Sequence, residues 1–522
     1  MPSFNLVDES WIPCIMADGK YQDISLEQVL VRAHEICEIF DPSPIITIAL
    51  HRFLLAVLHS NFSTTSLVDW EKLWQNGRWD ENRLKQYFQK YYQNFYLIES
   101  EFPFYQDLNL YIQNKNNLCK DEDKVPLAKL ARELSATTGA ALFDHNFDDS
   151  PKCFTFSESA RLLLADQYYG LEDGRGYSPS PISFGACVLV KGSNLFETLM
   201  FNLNIRNSKN PIPSDIGKDK PFWERTGGGL DSVPDGYISY LTWPHRRILL
   251  LSDEREKGIK WVIRAWGPKI DKNWLKNNPD PFIYYRVNKE TGFMPVKLQV
   301  ERALWRDSHA LVSLVHRKND FEPGFVNLLA RAGIGQKELH IFGVVAKKSK
   351  LDLWRHERLP LPFTYLAEGK ENLLGALKDA SGLAEDVGRL LGSDIRIPSP
   401  LRTLTRMILF PGKEEKELKT PQKKEMEKLI ESLSPVRPYW AQLGISFNEL
   451  LIKLPEDQIN GEYGNKVLPW WAKEIRLAAL DAFNEATSSF DRTGRMLKAV
   501  TLSENEFNYR LFEILKPYLE NK

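Results

Sequence analysis

Beyond about residue 366 the apolar side chains of this chain fall into step with the α-helix. Leu373, Leu377, Ala380, Leu383, Val387 and Leu390 recur every three to four residues, and Leu468, Trp471, Ile475, Ala478, Ala482 and Ala486 repeat the pattern. A period near 3.6 puts such residues on one face of a helix, and a face of that width must be buried against other helices. Further helical runs at 399–410, 422–433, 437–454 and 504–516 make the C-terminal part all-helical. The pattern predicts a C-terminal four-helix bundle over 366–522, with a boundary near Pro362.

The part before the boundary, 1–365, mixes both periods and predicts an α+β domain. Phe4, Leu6, Val7, Trp11 and Ile12 alternate around the polar turn Asp8-Glu9-Ser10, which reads as a short buried strand ended by Pro13. Ser25-Leu26-Glu27-Gln28 is a capping box that starts a helix through Leu30, Ala33 and Cys37. A second helix follows Pro44, and 70–96 is aromatic-rich and helical in pattern. Strands are expected at 186–190, 237–242, 247–251, 260–266, 282–287 and 340–346, and helices at 195–203, 311–316 and 325–331. Residues 205–236, rich in Pro, Gly and Asp, read as a long irregular connection.

At 522 residues the chain is long enough for two or more domains, with 43% hydrophobic and 26% charged residues, as in an ordinary globular protein. Lys and Arg total 68 against 69 Asp and Glu, a net charge of -1, so any polyanion site must be local. Cys14, Cys37, Cys119, Cys153 and Cys187 form no CxxC pair, which argues against a disulfide framework or a structural zinc and fits a reducing cytoplasm. The longest apolar stretch, 45–58, contains His51 and Arg52 and is shorter than a bilayer requires; no basic segment followed by an apolar one opens the chain, and no membrane role is expected.

Catalytic signatures are missing. There is no P-loop, HExxH or GxSxG, and the nine histidines form no HxH or HxxxH pair. Gly333-Ile334-Gly335 lacks the third glycine of a dinucleotide fingerprint. A non-enzyme without cofactor is therefore expected; a hydrolase would need carboxylates or histidines assembled from distant segments.

Local basicity remains. Lys257, Lys260, Arg264, Lys269, Lys272 and Lys276 share the stretch 257–276 with one acid, Asp271, and with Trp261, Trp266 and Trp274. Such a segment suits a phosphate-tracking surface, or else a solvated strand edge over core tryptophans. A second cluster, Lys347-Lys348-Ser349-Lys350 with Arg355 and Arg358, lies where two β segments would form a hairpin.

Several segments, taken in order, resemble the CasA family, the large subunits of the type I-E CRISPR surveillance complex Cascade. They are FNLVDESWIP (4–13), ALHRFLLAVL (49–58), FPFYQ (102–106), PLAKLARELSATTGAALFDH (126–145), VLVKGSNLFETLMFNL (188–203), PFWER (221–225) and GYISYLTWPHRRILLL (236–251). The resemblance implies an α+β domain followed by a four-helix bundle. It also implies a non-catalytic subunit that recognises the protospacer-adjacent motif (PAM) in double-stranded target DNA, promotes duplex opening and R-loop formation, and recruits the helicase-nuclease. Other Cascade protein subunits and the 5′ handle of the guide RNA are the implied partners. An assembly scaffold that holds guide RNA and proteins without reading DNA is the alternative.

By position, the resemblance assigns roles to nine residues. Leu142, Phe143 and Asp144 match the loop that docks near the guide-RNA handle. Gly174 and Arg175 fall on the loop that approaches the PAM minor groove. Lys269 matches a lysine finger inserted into that groove, with Lys272 as the alternative. Lys347 and Lys348 match the wedge hairpin that separates the first base pairs.

Overall fold

The computed structural model describes residues 3–519 apart from 63, 99–100, 111–123, 132–150, 172–177, 181, 184, 207–211, 216, 226–231, 254–256, 289–291, 300–301, 308–336, 348–349, 367–369, 393–398 and 491–492. By its contacts the chain divides into two compact units: Met1–Ala303 with Lys318–Leu359, and Leu304–Arg317 with Pro360–Lys522.

The first unit opens differently from the pattern of its first residues. Asn5 makes a single bridge to Tyr96, the chain turns, and strand β1 (Ile12–Met16) begins only later and runs through Pro13. The reason is local. The Asn5 side chain accepts the Val7 N–H at 2.9 Å, its carbonyl accepts the Glu9 N–H at 2.9 Å, and the Trp11 indole donates to the Leu6 carbonyl at 2.9 Å. This asparagine-led turn outcompetes a ladder. Pro13 gives up only its missing N–H, since its carbonyl still accepts from Phe40.

β1 is the centre of a three-stranded antiparallel sheet between β2 (Tyr21–Ile24) and β3 (Ile36–Ile39). Ser25 caps the helix Leu26–Val31 as expected, but the helix stops there. A one-turn segment, Ala33–Glu35, leads into β3, so Cys37 is in a strand and not a helix. Ile36 and Ile39 are buried through that pairing, and a buried sheet position outweighs a weak helical continuation.

The helix Pro44–Asn61 is the core of this unit. Among the described residues it is the one helix long and apolar enough to cross a membrane, and 94% of that stretch is buried inside the protein. Its Arg52 is buried with it and forms a two-pronged pair with Asp280, at 3.1 and 2.9 Å. A second sheet has the order β11-β10-β5, built from β5 (Cys187–Lys191), β10 (Lys337–Lys347) and β11 (Lys350–Leu361). A third joins β4 (Val125–Pro126), β7 (Gly258–Trp266) and β6 (Arg246–Asp253).

Two further segments depart from expectation because side chains take up their backbone N–H groups. Residues 237–242 form the helix Tyr237–Leu241 and not a strand. Asp219 accepts the N–H groups of Ile238 and Ser239 at 3.1 and 2.8 Å, and Ser214 accepts that of Tyr237 at 3.0 Å. These distant side chains satisfy a helix N-terminus that the sequence does not cap locally. The strand expected from residue 282 starts only at Tyr285, as β8 (Tyr285–Asn288), which pairs antiparallel with β9 (Gly292–Pro295), because the Phe282 N–H turns back to the Asp280 carboxylate at 2.8 Å. The helices expected at 311–316 and 325–331 lie outside the described residues.

The second unit is helical. Its long helices are Glu371–Leu390, Pro400–Leu409, Thr420–Leu433, Val436–Lys453, Val467–Ser488 and Gly494–Leu519. Glu371–Leu390, Val436–Lys453 and Val467–Ser488 pack against one another. Gly494–Leu519 joins them and also takes Pro400–Leu409 along its side. Indole and phenol tips are satisfied by helix carbonyls: Trp471 donates to Ala380 at 2.9 Å and Tyr439 to Ala384 at 2.8 Å. The short turn Leu304–Asp307 belongs to this unit. Trp305 lies 4.5 Å from the Phe447 ring, and Arg306 pairs with Glu385 at 2.7 Å while covering Trp440.

Candidate nucleic-acid interface

The basic stretch is built by the hairpin of β6 and β7, in which Arg246 stands opposite Trp266. Strand alternation divides its charges. Arg264 points inward and is spent on a buried pair with Asp166 at 3.0 Å, so it is not available to phosphate. The tryptophans are not core residues: Trp266 is 60% exposed, and Trp261 and Trp274 are half-buried. The solvated edge with core tryptophans therefore does not describe this segment.

After Trp266 the backbone is pinned at successive residues. Gly267 donates its N–H to the His245 carbonyl at 3.2 Å, and any Cβ there would press on the Pro244 and His245 carbonyls. The Trp243 indole donates to the Pro268 carbonyl at 2.8 Å. Ile270 is buried, and the Asp271 N–H reaches the Ser232 carbonyl at 2.8 Å. The Asp271 carboxylate then caps the helix Lys272–Asn277 by accepting the Trp274 N–H at 2.8 Å, and the Trp274 ring meets that of Tyr240. Between these anchors Lys269 is exposed, as are Lys272 and Lys276. The arrangement presents flexible cations from a fixed main chain. Downstream, the segment ends at Asp280, held by Arg52.

A residue that sequence reasoning missed links this segment to a second one. Arg246, 2% exposed, donates to the Leu171 carbonyl at 2.8 Å and to the Ser178 carbonyl at 2.6 Å, the two flanks of 172–177. It also donates to the His245 carbonyl, the same group that receives the Gly267 N–H. Gly170 leaves the room: a Cβ there would stand 2.7 Å from the guanidinium. Arg246 thus ties the flanks of the segment containing Gly174 and Arg175 to the root of the one carrying Lys269. Gly174 and Arg175 themselves lie outside the described residues, as do Leu142, Phe143, Asp144 and Lys348.

Lys347 ends β10 and Lys350 begins β11, so the second lysine cluster is at the connection of two strands of one sheet. The arginines grouped with it in sequence are placed elsewhere on β11: Arg355 donates to the Arg302 carbonyl and pairs with Glu357, and Arg358 lies 3.7 Å from Glu38.

A family profile described as CRISPR-associated protein Cse1 matches residues 5–482. A curated relative, CRISPR-associated protein CasA/Cse1 of Thermus thermophilus, is 30% identical over 544 aligned residues, covering 98% of each chain. A crystal structure of Thermus thermophilus CasA superposes with a TM-score of 0.77 at 25% identity, over 98% of this chain and 100% of that one. The fold is also that of Cse1 from Acidimicrobium ferrooxidans, with a TM-score of 0.78 at 20% identity over 99% of both chains. By the extent of the profile match and of the Thermus alignment, this chain belongs to the CasA/Cse1 family of CRISPR-associated proteins.

Proposed function

We propose that the chain is the large subunit of a type I-E Cascade complex and reads the PAM of double-stranded target DNA from the minor groove, in a binding role without catalysis. Family membership supports the complex, and a structure titled CRISPR RNA-guided surveillance complex shares the fold, with a TM-score of 0.72 at 19% identity over 97% of this chain. The single observation that carries the DNA reading is Lys269: an exposed ammonium between a hydrogen-bonded Pro268 carbonyl and a buried Ile270. The minor groove offers much the same acceptors for A·T and T·A, so a long cation delivered from a rigid backbone tolerates several motifs.

In this reading Gly174 and Arg175 approach the same groove, and Lys347 and Lys348 open the first base pairs so that the R-loop begins. Leu142, Phe143 and Asp144 dock near the guide-RNA 5′ handle. The helical second unit, read as a four-helix bundle with added helices, meets the other subunits and the helicase-nuclease.

Gel-shift titration of the reconstituted complex, on matched targets with and without a permissive PAM, tests the reading. Lys269→Ala is expected to weaken PAM-dependent binding by roughly tenfold, the worth of a lost groove contact, with assembly intact. Unchanged affinity in both Lys269→Ala and Lys272→Ala would reject the finger. Lys348→Ala is expected to slow opening of paired targets more than of targets pre-melted beside the PAM; equal slowing removes the wedge.

A further inference from the structure

At the base of the β10–β11 hairpin, a cavity of about 250 Å³ is lined by His51, His340 and His356, with Glu38, Asp41 and Lys191 on its walls. The Nδ1 of His340 and the Nε2 of His356 face each other at 3.2 Å. On its far side the His340 Nε2 stands 3.1 Å from the Glu338 carboxylate.

These contacts fix the protons. A carboxylate only accepts, so His340 carries its proton on Nε2 and turns a bare Nδ1 toward His356, which donates from Nε2. His51 is set in the same way: its Nδ1 lies 2.8 Å from the Thr47 carbonyl, which leaves its Nε2 bare. Each ring so placed carries one proton and one bare nitrogen, the neutral form that a ligand must have. The other charged groups facing them are Arg358, 3.7 Å from Glu38, and Lys191, whose ammonium donates to the Cys37 and Gly192 carbonyls.

We propose that His340 and His356 bind a borderline divalent transition-metal cation of the zinc class. Two Zn–N bonds of about 2.0–2.1 Å at the tetrahedral angle hold their nitrogens about 3.3–3.4 Å apart, and the pair already stands close to that. Binding needs one proton to move within His356, from Nε2 to Nδ1, with no net release. The Glu338–His340 contact is the carboxylate–imidazole support that metal-bound histidines carry. Among the described residues no three ligating side chains stand together, so water fills the remaining positions. Since one ligand comes from each strand, the cation would staple the hairpin.

Isothermal titration of the full chain with zinc chloride, paired with thermal melts, tests this. One equivalent should bind and raise the melting temperature. Both effects should vanish in His340→Gln and His356→Gln, and Glu338→Gln should weaken binding about tenfold or more. Undiminished binding in both histidine variants, or no saturable binding, overturns the proposal. Should those variants fail to fold, the unaltered chain loaded with cobalt(II) decides it: d–d bands without sulfur charge transfer support imidazole ligation, and sulfur charge transfer moves the ion to a cysteine and overturns it.

Discussion

Arg246 and Arg247 are neighbours of the same chemistry with opposite fates. Strand alternation sends Arg246 inward to three carbonyls, while Arg247 pairs with Asp107 at the surface. If the loops it ties face the minor groove as proposed, Arg246→Met should lower PAM-dependent affinity by roughly tenfold in gel shifts and leave non-specific binding unchanged, since Arg246 itself is engaged by carbonyls and not by phosphate. Arg247→Met should leave both unchanged. The Arg52–Asp280 pair makes a stability prediction. Both side chains are almost fully buried, at 3% and 1% exposure. Removing one partner strands a charge, so Arg52→Met or Asp280→Asn should cost about 3–5 kcal/mol in denaturant unfolding, while removing both should cost less than the sum. Nothing in the spacing of 228 residues announces this pair.

At the scale of elements, helices with an apolar face were legible. The repeat through Trp471 and Ile475 marks the buried side of Val467–Ser488, and Trp471→Ala should destabilise the helical unit by about 3–5 kcal/mol in thermal or denaturant unfolding. Where reading failed, another group had taken up the backbone N–H groups, either close by, as Asn5 and Asp280 do, or from far along the chain. Asp219 and Ser214 made a helix of Tyr237–Leu241, and pairing with β1 drew Cys37 into a strand. The site was legible in part: basic residues at 257–276 stood out, but their order along the chain did not separate exposed Lys269 from buried Arg264. Gly267→Ala should shift that pinned segment, weakening DNA binding without changing the helical unit's unfolding.

For the whole molecule, a net charge of -1 means that the proposed attraction for DNA rests on a few local side chains. Affinity should fall only moderately with salt, and Lys269→Ala should reduce the slope of log K against log salt by about one if Lys269 also neutralises a phosphate. pH acts through the interior. His51 is lowered to about 4 and His59 to about 3, both chiefly by burial, and His340 and His356 shift the same way. Their folded values lie below the ordinary 6.5, so the unfolded chain takes up protons first as pH falls. Stability is fully present above about pH 7 and declines as pH drops from about 6.5 toward 4, which melting curves across that range should record. The sequence by itself determined what short-range periodicity encodes: the amphipathic helices beyond residue 366, the helix start capped by Ser25, the strands around 186–190, 247–251, 260–266 and 340–346, and the basic stretch, each set by neighbours within one or two turns. Tertiary structure alone decided the long-range pairs: Arg52 with Asp280, His340 with His356, and Arg246 with the flanks of another loop. Those depend on which face each strand turns inward and on which distant carbonyl or carboxylate waits there, and no spacing along the chain carries that information.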